Sequence, residues 1–100
     1  MTEKSFNHIG EFVKTHRKKV GLSQTQLSEI LGYQNGQFIS NVERGLCSVP
    51  LKHAPVLREV LKVKAHELTR ALLMDLEDTV HKHIPPEKGE HRYQVAGRPS

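Results

Sequence analysis

The sequence is short of the features that mark secreted, membrane-bound or catalytic chains. Cysteine occurs once in 100 residues, at Cys47. A single cysteine excludes an internal disulfide and suits a reducing compartment. The opening MTEKSFNHIG lacks the apolar run of a signal peptide, and no stretch approaches the roughly 20 apolar residues of a membrane span. A soluble, cytoplasmic protein with no membrane contact is the expectation. Gly-rich phosphate loops and internal repeats are missing too. One hundred residues make one small domain with room for an added arm, and so short a chain buries only a modest core. A bundle of short helices is therefore expected rather than a large pocketed enzyme.

What is present is a mild positive excess, 15 Lys and Arg against 11 Asp and Glu, for a formal charge of +4. It favours an anionic partner, although many ordinary domains match it. Its distribution says more. Residues 1–21 hold Lys4, Lys14, Arg17, Lys18 and Lys19 against only Glu3 and Glu11.

Helical periodicity runs through most of the chain. Phe6, Ile9, Val13, His16 and Val20, with Phe12 beside them, predict a first helix that stops at Gly21. His16 is expected in a half-buried slot. Arg17, Lys18 and Lys19 fall in the last turn, where they suit either the helix dipole or a bound phosphate. Ser23 and Gln26 form a capping-box pair, so a second helix starts near Gln24. It points Leu27, Ile30 and Leu31 inward, places small Ser28 at a close crossing and ends at Gly32. Tyr33 has the bulk to plug the corner that follows.

The third helix is the informative one. Asn35 is placed to cap it and Gly45 to close it, giving a helix over residues 35–45. At about 100° per residue, Ile39 and Val42 share one side, while Gln34, Gln37, Asn41 and Arg44 gather on the other. Phe38 lies on a flank, either packing or meeting a thymine methyl group. Glu43 and Arg44 read as an internal helix pair and a backbone contact rather than an acid–base site.

After a loop over residues 46–49, a fourth helix begins near Leu51–His53. That places Pro55 in the first turn, where its missing N–H costs nothing, with Val56, Leu57, Val60 and Leu61 facing the core. Val63 fills the next corner. A fifth helix spans about Ala65 to His83. Leu73, Leu76, Val80 and Ile84 recur along its second half at heptad-like spacing. This stripe suits a homodimer contact, the alternative being that it folds back over the first helix. Pro85-Pro86 ends the helices, and residues 85–100 read as a mobile polar tail. Its Gly97-Arg98-Pro99 resembles the core of an AT-hook, but Ala96 stands where the usual preceding arginine belongs.

Catalytic and metal chemistry find little support. His8, His16, His53, His66, His81, His83 and His91 include no i, i+4 pair that would set two imidazoles on one helical face. No metal or cofactor is expected. Cys47, a lone loop cysteine, is more often inert than a nucleophile or a redox switch.

Taken together, Leu22-Ser23-Gln24, Leu27, Ser28 in the usual alanine place, Leu31-Gly32 and Ile39-Ser40-x-Val42-Glu43-Arg44-Gly45 resemble the Cro/phage-repressor (xenobiotic-response-element type) helix-turn-helix family. Val13 and Arg17 upstream, and Pro50 and Val63…Leu68 downstream, extend the likeness over roughly residues 6–73. The turn Tyr33-Gln34-Asn35-Gly36 carries one extra residue. His16 replaces an aliphatic residue, Lys62 stands where glycine is common, and Lys64 stands where a capping residue is expected.

The resemblance implies an all-α, five-helix DNA-binding domain over residues 1–73, an extension of helix 5 over 74–84, and a transcriptional regulator of bacterial or phage origin. The third helix would read bases in the major groove while the second grips the backbone. Gln24 matches a residue that usually contacts phosphate, and Gln37 and Asn41 match base-reading positions. Amide side chains suit that role because they bond bidentately to adenine. Gln34, Asn35, Gln37 and Asn41 are thus the expected base readers. Arg17, Lys18, Lys19, Gln24, Arg44 and Lys52 are the expected backbone contacts. A homodimer on a pseudo-palindromic duplex is one reading. An antitoxin-like or adaptor module, meeting a protein partner through helix 5 and the tail, is the other.

Overall fold

The computed structural model describes residues 5–85. These form five α-helices and, among the described residues, no strand: α1 (Asn7–Val20), α2 (Gln24–Ile30), α3 (Gln37–Glu43), α4 (Ala54–Leu61) and α5 (Ala65–His83). A 3-10 turn, Leu51–His53, leads into α4. Among the described residues, no helix is long and apolar enough to cross a membrane. Lys4 and residues 86–100, including the expected tail and its Gly97-Arg98-Pro99, lie outside the described residues.

Every helix contributes to one core. Ile9 and Val13 of α1, Leu27 of α2, Ile39 and Val42 of α3 and Leu57 of α4 are all fully buried; Leu61, Val63, Leu68 and Ala71 close it from the α4–α5 side. Two expected core residues are not in it. Ile30 is 47% exposed and Val56 38%. Both lie on apolar stretches, but each is turned about 100–120° from the centre of its helix's buried stripe, Leu27–Ser28–Leu31 in α2 and Leu57–Leu61 in α4. Short helices bury a narrow arc, and an apolar residue beside it stays wet.

Helix ends show how the sequence sets these boundaries. Ser23 Oγ accepts the Gln26 N–H (3.0 Å) while Gln26 Oε1 accepts the Ser23 N–H (2.8 Å), the reciprocal cap that starts α2. Pro55 sits in the first turn of α4, as its missing donor requires. Lys62 adopts the left-handed conformation (φ 59°) at the end of α4. Glu67, one turn into α5, reaches back to the Lys64 N–H (2.9 Å), supplying a cap that Lys64 itself lacks. This bond holds the Glu67 carboxyl below its ordinary value.

The first helix has no cap of its own. Phe6 occupies the N-cap position, and no acidic residue lies in the first turn. Asp75 of α5 supplies the acceptor, taking the His8 N–H on Oδ1 (2.7 Å) and the Ile9 N–H on Oδ2 (2.9 Å). It is 3% exposed. A carboxylate at a helix N-terminus satisfies free donors and complements the dipole, so this contact locks α5 across the start of α1.

One face of α5 therefore does fold over α1, through Leu68, Ala71 and Asp75. Leu73, Leu76, Val80 and Ile84 occupy a neighbouring face and remain 57%, 57%, 42% and 69% exposed.

On its other side α1 comes close to the end of α3 at Gly10, where an added Cβ would stand 2.6 Å from the Val42 carbonyl oxygen. Gly10→Ala should therefore destabilise the fold by about 1–3 kcal/mol, as overpacking against backbone does. Urea unfolding of the two proteins measures it, and an unchanged midpoint would show that the helices separate freely.

Candidate nucleic-acid interface

Seven residues are too few for a helix to stand alone, and α3 is held from inside. Its Ile39 and Val42 are fully buried, and the Ile39 N–H donates to Ser28 Oγ of α2 (3.1 Å). Ser28 thus occupies the expected close crossing and adds a hydrogen bond there.

At its C-terminal end, Glu43 receives two bonds from Arg17 of α1, from Nε at 2.6 Å and Nη2 at 3.0 Å. The two side chains are only 3% and 10% exposed. Arg17 Nη1 donates to the Leu22 carbonyl (2.8 Å), and Gln24 Nε2 to Glu43 Oε1 (3.0 Å). Three helices meet in this network. Arg17, expected at the DNA backbone, is enclosed by the fold with all three guanidinium nitrogens bonded within it, and Glu43 pairs with Arg17 rather than with Arg44. Basic residues next to one another in sequence diverge here: Lys18 and Lys19 are exposed where Arg17 is buried.

The start of α3 also differs from expectation. The helix begins at Gln37, with Gly36 at the N-cap, and its last helical residue is Glu43. Asn35 instead lies in the turn, where its Oδ1 accepts the Gln37 N–H (2.9 Å). Gly36, the N-cap, is pressed against α2, an added Cβ there falling 2.8 Å from Thr25 Oγ1.

Outward, α3 presents hydrogen-bonding groups. Gln34, Asn35, Gln37 and Arg44 are exposed and Asn41 half-exposed. Gln37 Nε2 donates to Asn41 Oδ1 (2.8 Å), joining two amides one turn apart, and Arg44 Nη1 lies 3.5 Å from the same oxygen. Gln24 is half-buried with one amide donor on Glu43, while Lys52 in the 3-10 turn is exposed. Phe38 packs: its ring stacks on Tyr33 at 4.1 Å and meets His53 edge-on at 6.0 Å. His53 was not singled out in the sequence. The only local hint was its place just ahead of Pro55, on the side facing the core.

Elsewhere, burial pushes the Cys47 thiol above its ordinary value, away from the reactive thiolate. Nε2 of His8 and carboxylate oxygens of Asp75 and Asp78 lie within 4.8 Å of one another. Both Asp75 oxygens already serve the α1 cap, however, and the positive end of a helix dipole disfavours a cation there.

No family model matches the chain, and no curated protein matches it significantly.

The buried network predicts a sharp difference between adjacent basic residues. Arg17→Ala leaves Glu43 charged and unpaired, and should cost about 3–5 kcal/mol. Lys18→Ala should stay within about 0.5 kcal/mol of the parent. Chemical denaturation distinguishes them, and equal stabilities would show that the pair contributes nothing.

Proposed function

We propose that the protein is a sequence-specific DNA-binding transcriptional regulator that lays α3 in the major groove. The observation that carries this reading is the division of α3. One side is clamped by Ile39, Val42 and Glu43, and the other presents Gln37, Asn41 and Arg44 to solvent next to Gln34 and Asn35. A rigid helix with an outward row of amides is suited to base edges. Lys18, Lys19, Arg44 and Lys52 are exposed cations for the phosphate backbone, and Gln24 keeps one amide donor for it.

The exposed stripe of α5 supports a homodimer. Leu73, Leu76 and Leu51, itself 75% exposed, line one open groove, and Val80 and Ile84 extend the stripe. Together these residues form an exposed, mainly apolar surface, the kind of patch a protein interface uses. A two-fold dimer would match a pseudo-palindromic site with half-site centres about one helical turn apart. The same stripe is the feature that favours the second reading, an adaptor or antitoxin-like module that binds another protein.

Three outcomes test the proposal. Binding to a cognate duplex should weaken steeply as salt rises, in log–log proportion to the phosphates contacted; a salt-independent signal in a gel-shift titration would contradict DNA binding. Gln37→Ala or Asn41→Ala should lose about 1–3 kcal/mol of discrimination at one base position, whereas Lys18→Ala should weaken all duplexes alike. Equal loss on every duplex for Gln37→Ala would mean that another face of α3 meets the bases. Leu73→Glu with Leu76→Glu should give a folded monomer by sedimentation. Point substitutions suit this better than truncation at residue 74, which would also delete the Asp75 cap of α1. An unchanged mass would place the dimer contact elsewhere or remove it.

A further inference from the structure

Tyr33 and Phe38 bracket the segment that carries Gln34, Asn35 and Gln37. Their rings lie nearly parallel, 4.1 Å apart and 10° from coplanar, so the two ends of that segment are stacked on each other. A third ring closes the cluster from a different part of the chain. His53, in the 3-10 turn before α4, is 9% exposed and stands edge-on to Tyr33 at 5.4 Å and to Phe38 at 6.0 Å. Its Nε2 is 2.8 Å from the Tyr33 hydroxyl. This is the turn with the extra residue, and Gly36 within it is pressed against Thr25. The aromatic cluster spans both ends of this turn.

We infer that His53 is a positioning residue for the base-reading turn, acting through Tyr33 and Phe38, and that a proton on its ring releases that turn. The inference rests on the DNA-reading role proposed above and adds a regulator of the same site. In the neutral tautomer with its hydrogen on Nδ1, the one taken for this inference, Nε2 accepts a hydrogen bond from the Tyr33 hydroxyl. Protonation gives both nitrogens a hydrogen, so the hydroxyl must reverse its role, and places a charge among rings with little access to water. Tyr33 comes from the α2–α3 turn, Phe38 from α3 and Lys52 from His53's own turn. Arg58 and Glu59 of α4 are exposed and do not act on the ring. Among the described residues no carboxylate acts on the imidazole to welcome the proton. Burial accordingly pushes His53 below its ordinary value, and the Lys52 charge adds to the effect.

The sign follows. Above the unfolded-state value of about 6.5, neither state binds this proton and the cluster is intact. As pH falls below that, the unfolded or released state takes up the proton first, and stability is lost until the depressed folded value is passed.

The test is an NMR titration of the isotopically labelled full chain from about pH 7.5 to 5, across the range in which histidine charges. The Tyr33 and Phe38 rings and the amides of residues 34–37 should shift with the His53 midpoint, and Tyr33→Phe should raise that midpoint by removing the donor to Nε2. On a selected duplex, affinity should fall by up to about tenfold per pH unit below the midpoint, a dependence that His53→Gln removes. Two results overturn the inference: His53 titrating while residues 33–38 hold still, or His53 staying neutral until the protein unfolds in acid. Should no duplex be bound specifically, the DNA reading fails, while the free-protein titration still decides whether His53 holds the turn. Tyr33→Phe keeps the ring stack and serves if His53→Gln does not fold.

Discussion

The Arg17–Glu43 pair joins α1 to α3, and the orientation of α3 depends on it. A guanidinium and a carboxylate taken this far out of water gain little net stability, because desolvation offsets much of their attraction. Their value is in direction. All three donating nitrogens of Arg17 are engaged, two with Glu43 and one with the Leu22 carbonyl, and Gln24 completes the carboxylate. Any rotation of α3 about its axis would break several charged hydrogen bonds at once. With Ile39 and Val42 seated beside this network, the helix has one face left to present.

The same dependence on neighbours recurs at the helix ends. Two of the five helices are only seven residues long, too short to persist without tertiary contacts. The longer α1 lacks a cap and takes one from Asp75, so α5 is needed before the first helix is complete. A domain built in this way folds as a unit, and the face offered by α3 reports on packing at both ends of the chain.

The helices themselves were largely legible. The Ser23–Gln26 cap, the glycines and Pro55 each mark a boundary by a local mechanism; Gly21 and Gly32 mark the stops of α1 and α2, and Pro85-Pro86 that of α5. Bonds between helices were not. Arg17 reads like its neighbours Lys18 and Lys19, because charge is visible in a sequence and burial is not. Asp75 lies on the stripe of Leu68 and Ala71, so a lone carboxylate there was the available sign that it served another helix's end. Asn35 looked like a cap, but Gly36 takes that place and Asn35 instead bonds the Gln37 N–H from the turn. Ile30 and Val56 were placed inside by apolar character alone. Of the proposed base-reading residues, Gln37 and Asn41 remain on the outer face of α3, whereas Gln34 and Asn35 belong to a turn whose flanking rings, Tyr33 and Phe38, meet His53, a residue 15 or more positions away in the chain.

On the proposed reading, α3 is the element that meets DNA and the exposed stripe of α5 is the surface that pairs two copies. Selection from a random pool of DNA duplexes, followed by sequencing of the bound fraction, tests that account most directly. It predicts enrichment of one motif, arranged as inverted half-sites with centres about 10 base pairs apart. A bound pool with no enriched motif would contradict it.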